Sequence, residues 1–365
     1  MKNLLPLLLL LCAFACKEKP SNTESPNTAH TAPTETEVQI IDAHAHFKYD
    51  RDYLPGFMKS RQMKAVLVDV ALADSEDSTI TKRNWREYVA LAQKHPELFW
   101  LCSSLIGTGI DAPDYAEREI ARLDKEIAQG AKMVKVWKNF GMVTRDKTGH
   151  YVQIDDPRLQ PIWDFLKERN IPVMAHIAEP VQAWRPLSKK SPHYGYYSEH
   201  PEYHAYNFPE IPGYETIIGA RDNWIAKNPG LQVLCAHIGS MSHDIDMVSE
   251  RLDRYPNMKV ELAARFGDLA TQDSKKVRAF FEKYQDRIMF GSDYGNRVPQ
   301  SALAPEEIAS EEKELSESYD RLDRYLSTSD TIQIRGQTNV GLALSDDVLK
   351  KLYVTNIVNF LNLQE

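Results

Sequence analysis

The sequence lacks an apolar run long enough to span a bilayer as a helix, and it is poor in cysteine. The apolar stretch at residues 4–11 falls well short of the ~20 residues that a transmembrane helix needs. Of four cysteines, only Cys102 and Cys235 lie beyond the N-terminal region, in separate apolar segments. This spacing argues against a fold held by paired disulfides. We expect both cysteines to be small buried hydrophobes.

A basic stripe with interleaved aromatic residues is also missing. The chain carries 44 Lys and Arg against 52 Asp and Glu, for a net charge of −8. The acidity is spread along the chain, so it favours solubility and makes nucleic acid an improbable partner. With 365 residues, 42% of them hydrophobic, the sequence can form one large globular domain or two small ones.

The N-terminus has the features of an export signal. A basic start, Met1-Lys2-Asn3, precedes the apolar stretch, and alanines occupy the −3 and −1 positions before Cys16. The segment resembles a bacterial lipoprotein signal at residues 1–15, with lipid on Cys16 anchoring an exported protein to a periplasmic or cell-surface membrane face. An ordinary signal peptide that leaves Cys16 unmodified is the alternative. Residues 16–37, rich in Ser, Thr, Pro and Glu, are predicted to be a disordered tether.

From residue 38 to residue 365, short apolar runs alternate with amphipathic stretches. Eight runs have strand character: 38–43, 65–70, 98–103, 131–137, 172–176, 232–237, 259–262 and 288–290. Six stretches have helical spacing: 84–94, 115–128, 159–168, 214–228, 245–254 and 274–284. This alternation predicts an α/β fold, a (β/α)8 TIM barrel. An open doubly wound sheet competes, but no glycine-rich fingerprint follows the first strand.

Two segments are longer than the connections that a simple alternation of strands and helices requires. Residues 181–212 form a long aromatic loop after the fifth strand, on the face where a barrel places its active site. Such a loop is either a lid or binding loop, or a packed surface insertion. Residues 302–326 are acidic with helical spacing, which predicts a helical segment after strand 8. Residues 346–361 are predicted to form a closing helix.

One short motif says most about chemistry: Asp42-Ala43-His44-Ala45-His46, at the end of the first predicted strand. Side chains two residues apart on a strand point the same way, about 6–7 Å apart, so both imidazoles can reach one metal ion. The pair alone also occurs by chance. His176, His237 and Asp293 follow the fifth, sixth and eighth strands, where barrel enzymes carry their functional groups. Together these positions predict a metal site.

These residues give the chain a resemblance to the amidohydrolase superfamily, specifically to its amidohydrolase-related branch. The similarity spans about residues 40–361. Its carriers are Asp42-Ala43-His44-Ala45-His46, Ala175-His176, Ala236-His237-Ile238-Gly239, Gly291-Ser292-Asp293 and Leu352-Tyr353-Val354-Thr355-Asn356. The branch contains metal-dependent lactonases, other hydrolases, hydratases and non-oxidative decarboxylases of small carboxylated substrates.

The resemblance implies one divalent ion, bound by His44, His46, His176 and Asp293. Zinc is the expected ion, and manganese also fits this donor set. It further implies that Asp293 takes the proton of the attacking water, while His237 orients that water or polarises the substrate carbonyl. A fifth ligand or a structural role remains open for His237.

Three more residues are candidates for binding the substrate. Lys135, flanked by Val134 and Val136, is expected to face the barrel interior as an ammonium. Some superfamily members instead carboxylate a lysine on the fourth strand to bridge two metals. Arg265 is either an anion-binding residue or half of a surface salt bridge. Trp137 is a candidate for the pocket wall, with Glu179 and Tyr294 as weaker ones.

Three functions are compatible with these residues. The first is a metal-dependent hydrolase that attacks a small, carboxylated ester, lactone or amide with an activated water. The second is a decarboxylase of an aromatic or unsaturated acid on the same site. The third is a non-catalytic binding lipoprotein, which the complete ligand set argues against. The substrate and the oligomeric state are not encoded in any motif of the chain.

Overall fold

Eight short parallel strands form the inner layer of the protein. The computed structural model describes residues 39–73, 81–335 and 337–363. The strands are β1 (Ile40–Phe47), β2 (Met63–Val68), β3 (Phe99–Ser104), β4 (Ala131–Val136), β5 (Val173–Ala175), β6 (Val233–Cys235), β7 (Met258–Glu261) and β8 (Ile288–Met289). Each coincides with a run predicted from the sequence, to within a few residues at its ends.

The strands lie side by side in chain order, from β1 to β8, and all neighbours are parallel. The amide of Ala43 donates to the carbonyl of Phe290 at 3.0 Å, which joins β1 to the end of β8. A two-residue strand, Gly295–Asn296, extends this seam along β1. A doubly wound sheet would reverse its strand order partway, so the sequential order confirms the predicted TIM barrel.

Helices surround the strands; six of them match the predicted amphipathic stretches, and Leu54–Ser60 and Phe266–Ala270 were not predicted. The surrounding helices are Leu54–Ser60, Trp85–Lys94, Tyr115–Ala128, Gln160–Glu168, Tyr214–Lys227, Ile245–Arg254, Phe266–Ala270 and Ser274–Lys283. In Ile245–Arg254, for example, the buried side chains Ile245, Val248 and Leu252 recur at helical spacing. The Asp244 carboxylate accepts from the Asp246 amide and caps this helix.

Two apolar clusters fill the molecule, one between sheet and helices and one inside the barrel. The inner cluster contains Ile41, Ala43, Val66, Val68, Cys102, Met133, Met174, Leu234, Ala236 and Met289, together with Ile357, Phe360 and Leu361 of the C-terminal helix. Cys102 and Cys235 are buried and free, as expected. Asn356 donates to the carbonyl of Ile288, where β8 begins, so the C-terminal helix covers the end opposite the strand C-termini.

The two predicted insertions are present and contain more structure than the sequence indicated. The segment after β5 holds a helix, Tyr194–Glu199, and three single-turn helices, Val181–Trp184, Pro201–Tyr203 and Ala205–Asn207. After β8 comes a 23-residue helix, Pro305–Ser327. The closing helix runs from Asp346 to Phe360, with a π-helical turn at Lys351–Thr355.

Two antiparallel strand pairs were not predicted: Thr331–Ile334 with Gln337–Val340, and Leu72–Ala73 with Thr81–Lys82. No helix among the described residues is long and apolar enough to cross a membrane. The predicted signal peptide, Cys16 and the tether lie outside the described residues.

Candidate metal centre

A bulge in β1 turns both histidines of the His-x-His motif toward the barrel interior. Ile41 and Ala43 pack in the inner cluster, whereas Ala45 and Phe47 pack in the outer one. The pairing with β2 shifts register between Asp42 and Ala45, which marks the extra residue of a bulge. His44 and His46 therefore point inward at the C-terminal end of the strand.

Asp293 joins the two histidines from the end of β8. Its Oδ1 lies 3.2 Å from Nε2 of His46 and 3.6 Å from Nε2 of His44. One donor atom from each of the three residues falls within 4.8 Å of the others, a spacing that one metal ion can bridge. The structure thus brings together three of the four predicted ligands.

Hydrogen bonds fix which nitrogen each imidazole presents. Nδ1 of His46 donates to the Val68 carbonyl at 2.7 Å, and Nδ1 of His237 donates to the Ala263 carbonyl at 2.8 Å. Nδ1 of His44 lies 3.0 Å from Oε1 of Glu261. A carbonyl or carboxylate only accepts, so Nδ1 carries the proton in each ring. The Nε2 lone pairs are left to face the site, as metal binding requires.

His176, at the end of β5, lies near this group but outside the closest set. Its Nε2 is buried and has no hydrogen-bond partner within the described part of the chain. Its ring centroid is 4.3 Å from that of His237, whose own centroid is 5.0 Å from that of His44. An unpartnered buried nitrogen is costly, and a metal ion at this place would satisfy it. The donor set therefore fits the predicted ion.

Burial and the neighbouring groups leave both His237 and Asp293 deprotonated at neutral pH. Burial lowers the pKa of His237 to about 3, so its ring is neutral at neutral pH. Burial alone would raise the pKa of Asp293, but His237, His46 and His44 pull it well below its ordinary value. A charged carboxylate and a neutral imidazole thus face each other, each able to accept a proton.

Asp42 connects the motif to the seam of the barrel. Its Oδ1 accepts from the amides of His44 and Ser292, at 2.9 and 3.1 Å. Its Oδ2 accepts from the hydroxyls of Ser292 and Tyr319, the latter on the long helix after β8. Complete burial raises the pKa of Asp42 to about 6 against these four hydrogen bonds. The network holds β1 against the loop that carries Asp293.

A cavity of about 440 Å³ opens in front of these groups. Trp137, Lys138, Tyr196, His200 and Tyr203 form its wall, with the last three supplied by the segment after β5. This segment, residues 181–212, is hereafter the lid. The structure therefore favours a lid or binding loop over a packed surface insertion.

The three predicted substrate-binding residues lie at different depths. Lys135 and Trp137 line the cavity. Nζ of Lys135 donates to Nε2 of His44 at 3.0 Å, and burial lowers its pKa to about 8. Arg265 lies outside the cavity wall. It is buried, has an Nε with no partner in the described residues, and acts on the pKa values of His44, His176 and His237.

Sequence reasoning missed Lys138 and underrated Glu179. Both are buried and form an ion pair, and Tyr197 of the lid donates to Glu179 Oε2 at 3.1 Å. Nζ of Lys138 lies 3.7 Å from the ring centroid of Tyr203, a cation–π contact. Burial lowers the pKa of Lys138 to about 7. Its position just after β4 was a usable signal, because strand C-termini carry function in this fold.

Glu261 was also missed, although it is the one acidic residue in the apolar run of β7. It is fully buried and lies within 4.8 Å of donor atoms of His44 and His237. Weak candidate Tyr294 donates instead to the Glu311 carbonyl, on the Pro305–Ser327 helix.

Comparison with known proteins gives one family and several similar folds. The family model described as Amidohydrolase matches residues 41–363. Comparison with the curated proteins gave no match. An uncharacterised TIM-barrel protein from Bordetella bronchiseptica is 15% identical, with a TM-score of 0.50 over 88% of this chain and 98% of its own.

Two further structures are similar in fold. A 2,6-dihydroxybenzoate decarboxylase complexed with 2,6-dihydroxybenzoate is 13% identical, with a TM-score of 0.50 over 89% of this chain and 98% of its own. A protein from Pseudomonas putida, named as a candidate 2-pyrone-4,6-dicarboxylic acid hydrolase, is 14% identical, with a TM-score of 0.47 over 90% and 100%. At such identities, the two likenesses with a TM-score of 0.50 show the barrel fold alone.

Proposed function

Since the chain belongs to the amidohydrolase family, an enzyme family, we propose that it is a metal-dependent hydrolase of a small carboxylated ester, lactone or amide. One observation carries this proposal. The Asp293 carboxylate lies within 3.6 Å of Nε2 of both motif histidines, beside the neutral ring of His237. This arrangement is suited to holding a water molecule and removing its proton.

We propose zinc as the ion, bound by His44, His46, His176 and Asp293, with manganese as the alternative. The bound ion supplies Lewis acidity, which brings the pKa of a water molecule toward about 7. A second ion bridged by carboxylated Lys135 is the less favoured arrangement, since Lys135 donates directly to His44. Metal analysis separates the two: one equivalent per chain supports the single ion, and two equivalents support the pair.

Residues of the chain accept the proton, orient the water and shape the cavity. Asp293 accepts the proton of the attacking water, because its carboxylate is charged at neutral pH. His237 keeps Nδ1 on the Ala263 carbonyl, so its Nε2 can orient the water or accept a proton from it. The lid residues Tyr196 and Tyr203 line one side of the cavity and so narrow its access to bulk water.

The cations of the site favour an acidic substrate. Among the residues described, neither Arg265 nor Lys135 has a carboxylate within ion-pair distance. The charge of Lys138, in contrast, is balanced by Glu179. A buried guanidinium without a carboxylate partner gains much from an anionic ligand. We therefore propose that Lys135 in the cavity, and the charge of Arg265 from behind the cavity wall, attract the substrate carboxylate, while Trp137 packs against its apolar part.

Decarboxylation is the second candidate, and the aromatic wall favours it. Trp137, Tyr196 and Tyr203 surround the cavity, and the rings of Tyr196 and Tyr203 are parallel within 9°. Such a wall suits a planar aromatic acid. The decarboxylase of similar fold is complexed with 2,6-dihydroxybenzoate. In this chain, decarboxylation would use Asp293 and His237 for proton transfer.

The test is a panel of lactones, esters and carboxylated aromatic acids with metal-loaded protein. Acid release in a pH-stat supports the hydrolase, and carbon dioxide release without acid production from esters supports the decarboxylase. Asp293→Asn should lower kcat about 100-fold or more. Asparagine tolerates the left-handed backbone at this position, where φ is 62°, so the variant should fold. Turnover that is independent of metal would contradict the proposal.

A further inference from the structure

Glu261 lies behind the metal centre rather than in it. Its side chain is completely buried at the end of β7, and its carboxylate accepts three hydrogen bonds. Oε1 receives Nδ1–H of His44 at 3.0 Å and the amide of His237 at 2.7 Å. Oε2 receives the amide of Ala263 at 2.5 Å. No lysine or arginine of the described chain is within ion-pair distance of it.

From these contacts we propose that Glu261 is the positioning residue of the site. One buried carboxylate fixes both the metal-facing nitrogen of His44 and the place of the His237 ring. The inference rests on the proposed metal site, but it does not depend on which reaction the site performs.

The effect on His44 follows from proton placement. Because a carboxylate cannot donate, it holds the His44 proton on Nδ1 and leaves Nε2 as a lone pair toward Asp293 and His46. The charge of Glu261 also raises the basicity of the ring, which strengthens a bond from Nε2 to a metal. Without this acceptor, only the Lys135 ammonium, which donates to Nε2 at 3.0 Å, would favour the proton on Nδ1, and the ring would lose its fixed orientation toward the site.

The effect on His237 follows from backbone geometry. His237 has φ of 58° and Ala264 has φ of 56°, conformations that non-glycine residues rarely adopt. Glu261 bonds the amide of His237 and the amide of Ala263, and the Ala263 carbonyl in turn accepts from the His237 ring. The Glu261 carboxylate thus holds the backbone amide of His237 directly and the His237 ring indirectly, through Ala263.

The neighbouring strand, β8, is followed by a glycine that leaves room for this carboxylate. A Cβ atom at Gly291, after β8, would lie 2.6 Å from Oε2 of Glu261. Any larger residue would displace the carboxylate, so glycine is required here for a steric reason. The added Cβ would also lie 3.1 Å from the Cβ of His44, so this glycine leaves space for the acid and for its histidine partner together.

The experiment measures metal affinity in the full-length protein. The zinc dissociation constants of wild type, Glu261→Gln and Glu126→Gln are determined by competition with a chromophoric chelator, and folding is checked by circular dichroism. Glu126 is the matched control, because it is a buried carboxylate bonded to Arg83, Arg122 and Ser103, away from the cavity. We expect the dissociation constant to rise about 10- to 100-fold in Glu261→Gln and to stay unchanged in Glu126→Gln.

Three results would overturn the proposal. One is a folded Glu261→Gln protein with wild-type zinc affinity. Another is two equivalents of zinc in wild type and one in Glu261→Gln, since Glu261 would then be a ligand of a second ion with His44 and His237. The third is a ¹⁵N-histidine spectrum of the metal-free wild type that shows His44, assigned through His44→Gln, protonated on Nε2.

The spectrum keeps the proposal testable if Glu261→Gln does not fold, because it uses wild-type protein and predicts protonation of Nδ1. Failure of the proposed function would look different. A wild-type protein that binds zinc but turns over no member of the substrate panel would contradict the hydrolase and leave the affinity comparison valid.

Discussion

At the residue scale, the site depends on close contacts between backbones. Gly295 lies beside β1, and a Cβ atom there would be 2.7 Å from both the Cβ and the carbonyl oxygen of His46. Its neighbour Asp293 has φ of 62° and donates its amide to the His44 carbonyl at 2.8 Å. The loop after β8 therefore needs small or left-handed residues to bring the Asp293 carboxylate to the histidines.

We predict that Gly295→Ala lowers the free energy of unfolding by about 1–3 kcal/mol, because the added methyl meets backbone that cannot move easily. It should also weaken zinc binding by moving His46. Chemical denaturation and chelator competition check both effects. Gly219→Ala, in the Tyr214–Lys227 helix with nothing within 4 Å of the added methyl, is the control. It should be neutral or stabilise by up to about 1 kcal/mol, and equal effects of the two variants would contradict the steric argument.

At the element scale, three polar contacts hold the lid to the barrel. Tyr197 bonds to Glu179 near the cavity, and His193 lies 3.2 Å from Asp268 on its other side. Lys138 adds the cation–π contact with Tyr203. The lid thus gets its position from buried polar contacts as well as from apolar packing.

We predict that Tyr197→Phe loosens the lid, because the buried Glu179 carboxylate loses a hydrogen bond worth about 1.5–3 kcal/mol. The KM for the substrate should rise severalfold, and limited proteolysis within residues 185–212 should become faster. Tyr206→Phe, at an exposed lid position, is the control. Unchanged proteolysis in Tyr197→Phe would show that the hydrogen bond does not hold the lid.

The elements themselves were largely predictable from the chain. The strands and the amphipathic helices have regular apolar periods, and residues 115–128 and 245–254 match their observed helices. The hairpin of Thr331–Ile334 and Gln337–Val340 was not predicted, because the alternation of exposed and buried residues in its first strand lasts only four residues. Lys138, Glu179 and Glu261 were missed or underrated because their partners lie far away in sequence.

At the scale of the whole molecule, Asp268 joins three separate parts of the structure. It accepts from Ser242 and Arg335, both at 2.6 Å, and lies beside His193 of the lid. Burial alone would raise the pKa of Asp268, but His193, Arg265 and Arg335 hold it below its ordinary value. The unfolded chain then binds more protons than the folded one at acid pH, so stability rises with pH in that range.

We therefore predict that the contribution of Asp268 is fully present above the unfolded pKa, about 3.9, and is lost as the pH falls below it. Asp268→Asn should be less stable than wild type at pH 7 by about 3 kcal/mol. The difference should shrink between about pH 5 and pH 3. Thermal melts of both proteins across this range measure it, and a difference that stays constant with pH would contradict the prediction.

The anchoring of the whole protein is a separate proposal from the sequence. We propose that lipid on Cys16 holds the chain at a membrane surface through the tether. Cys16→Ser should move the protein from the membrane fraction to the soluble fraction after export. Fractionation with immunodetection checks this, and a fully processed Cys16→Ser protein that stays with the membrane would contradict it.

The sequence by itself determined the barrel and the residue types of its site, because apolar periodicity and strand-end positions are local properties. Only the tertiary structure decided how those residues face one another. Alternation from the buried Ile41 and Ala43 would point His44 outward, and the bulge against β2 reverses this. The acid behind the metal site, Glu261, likewise has its role only because the C-terminal ends of β1, β6 and β7 converge on one place in the folded chain.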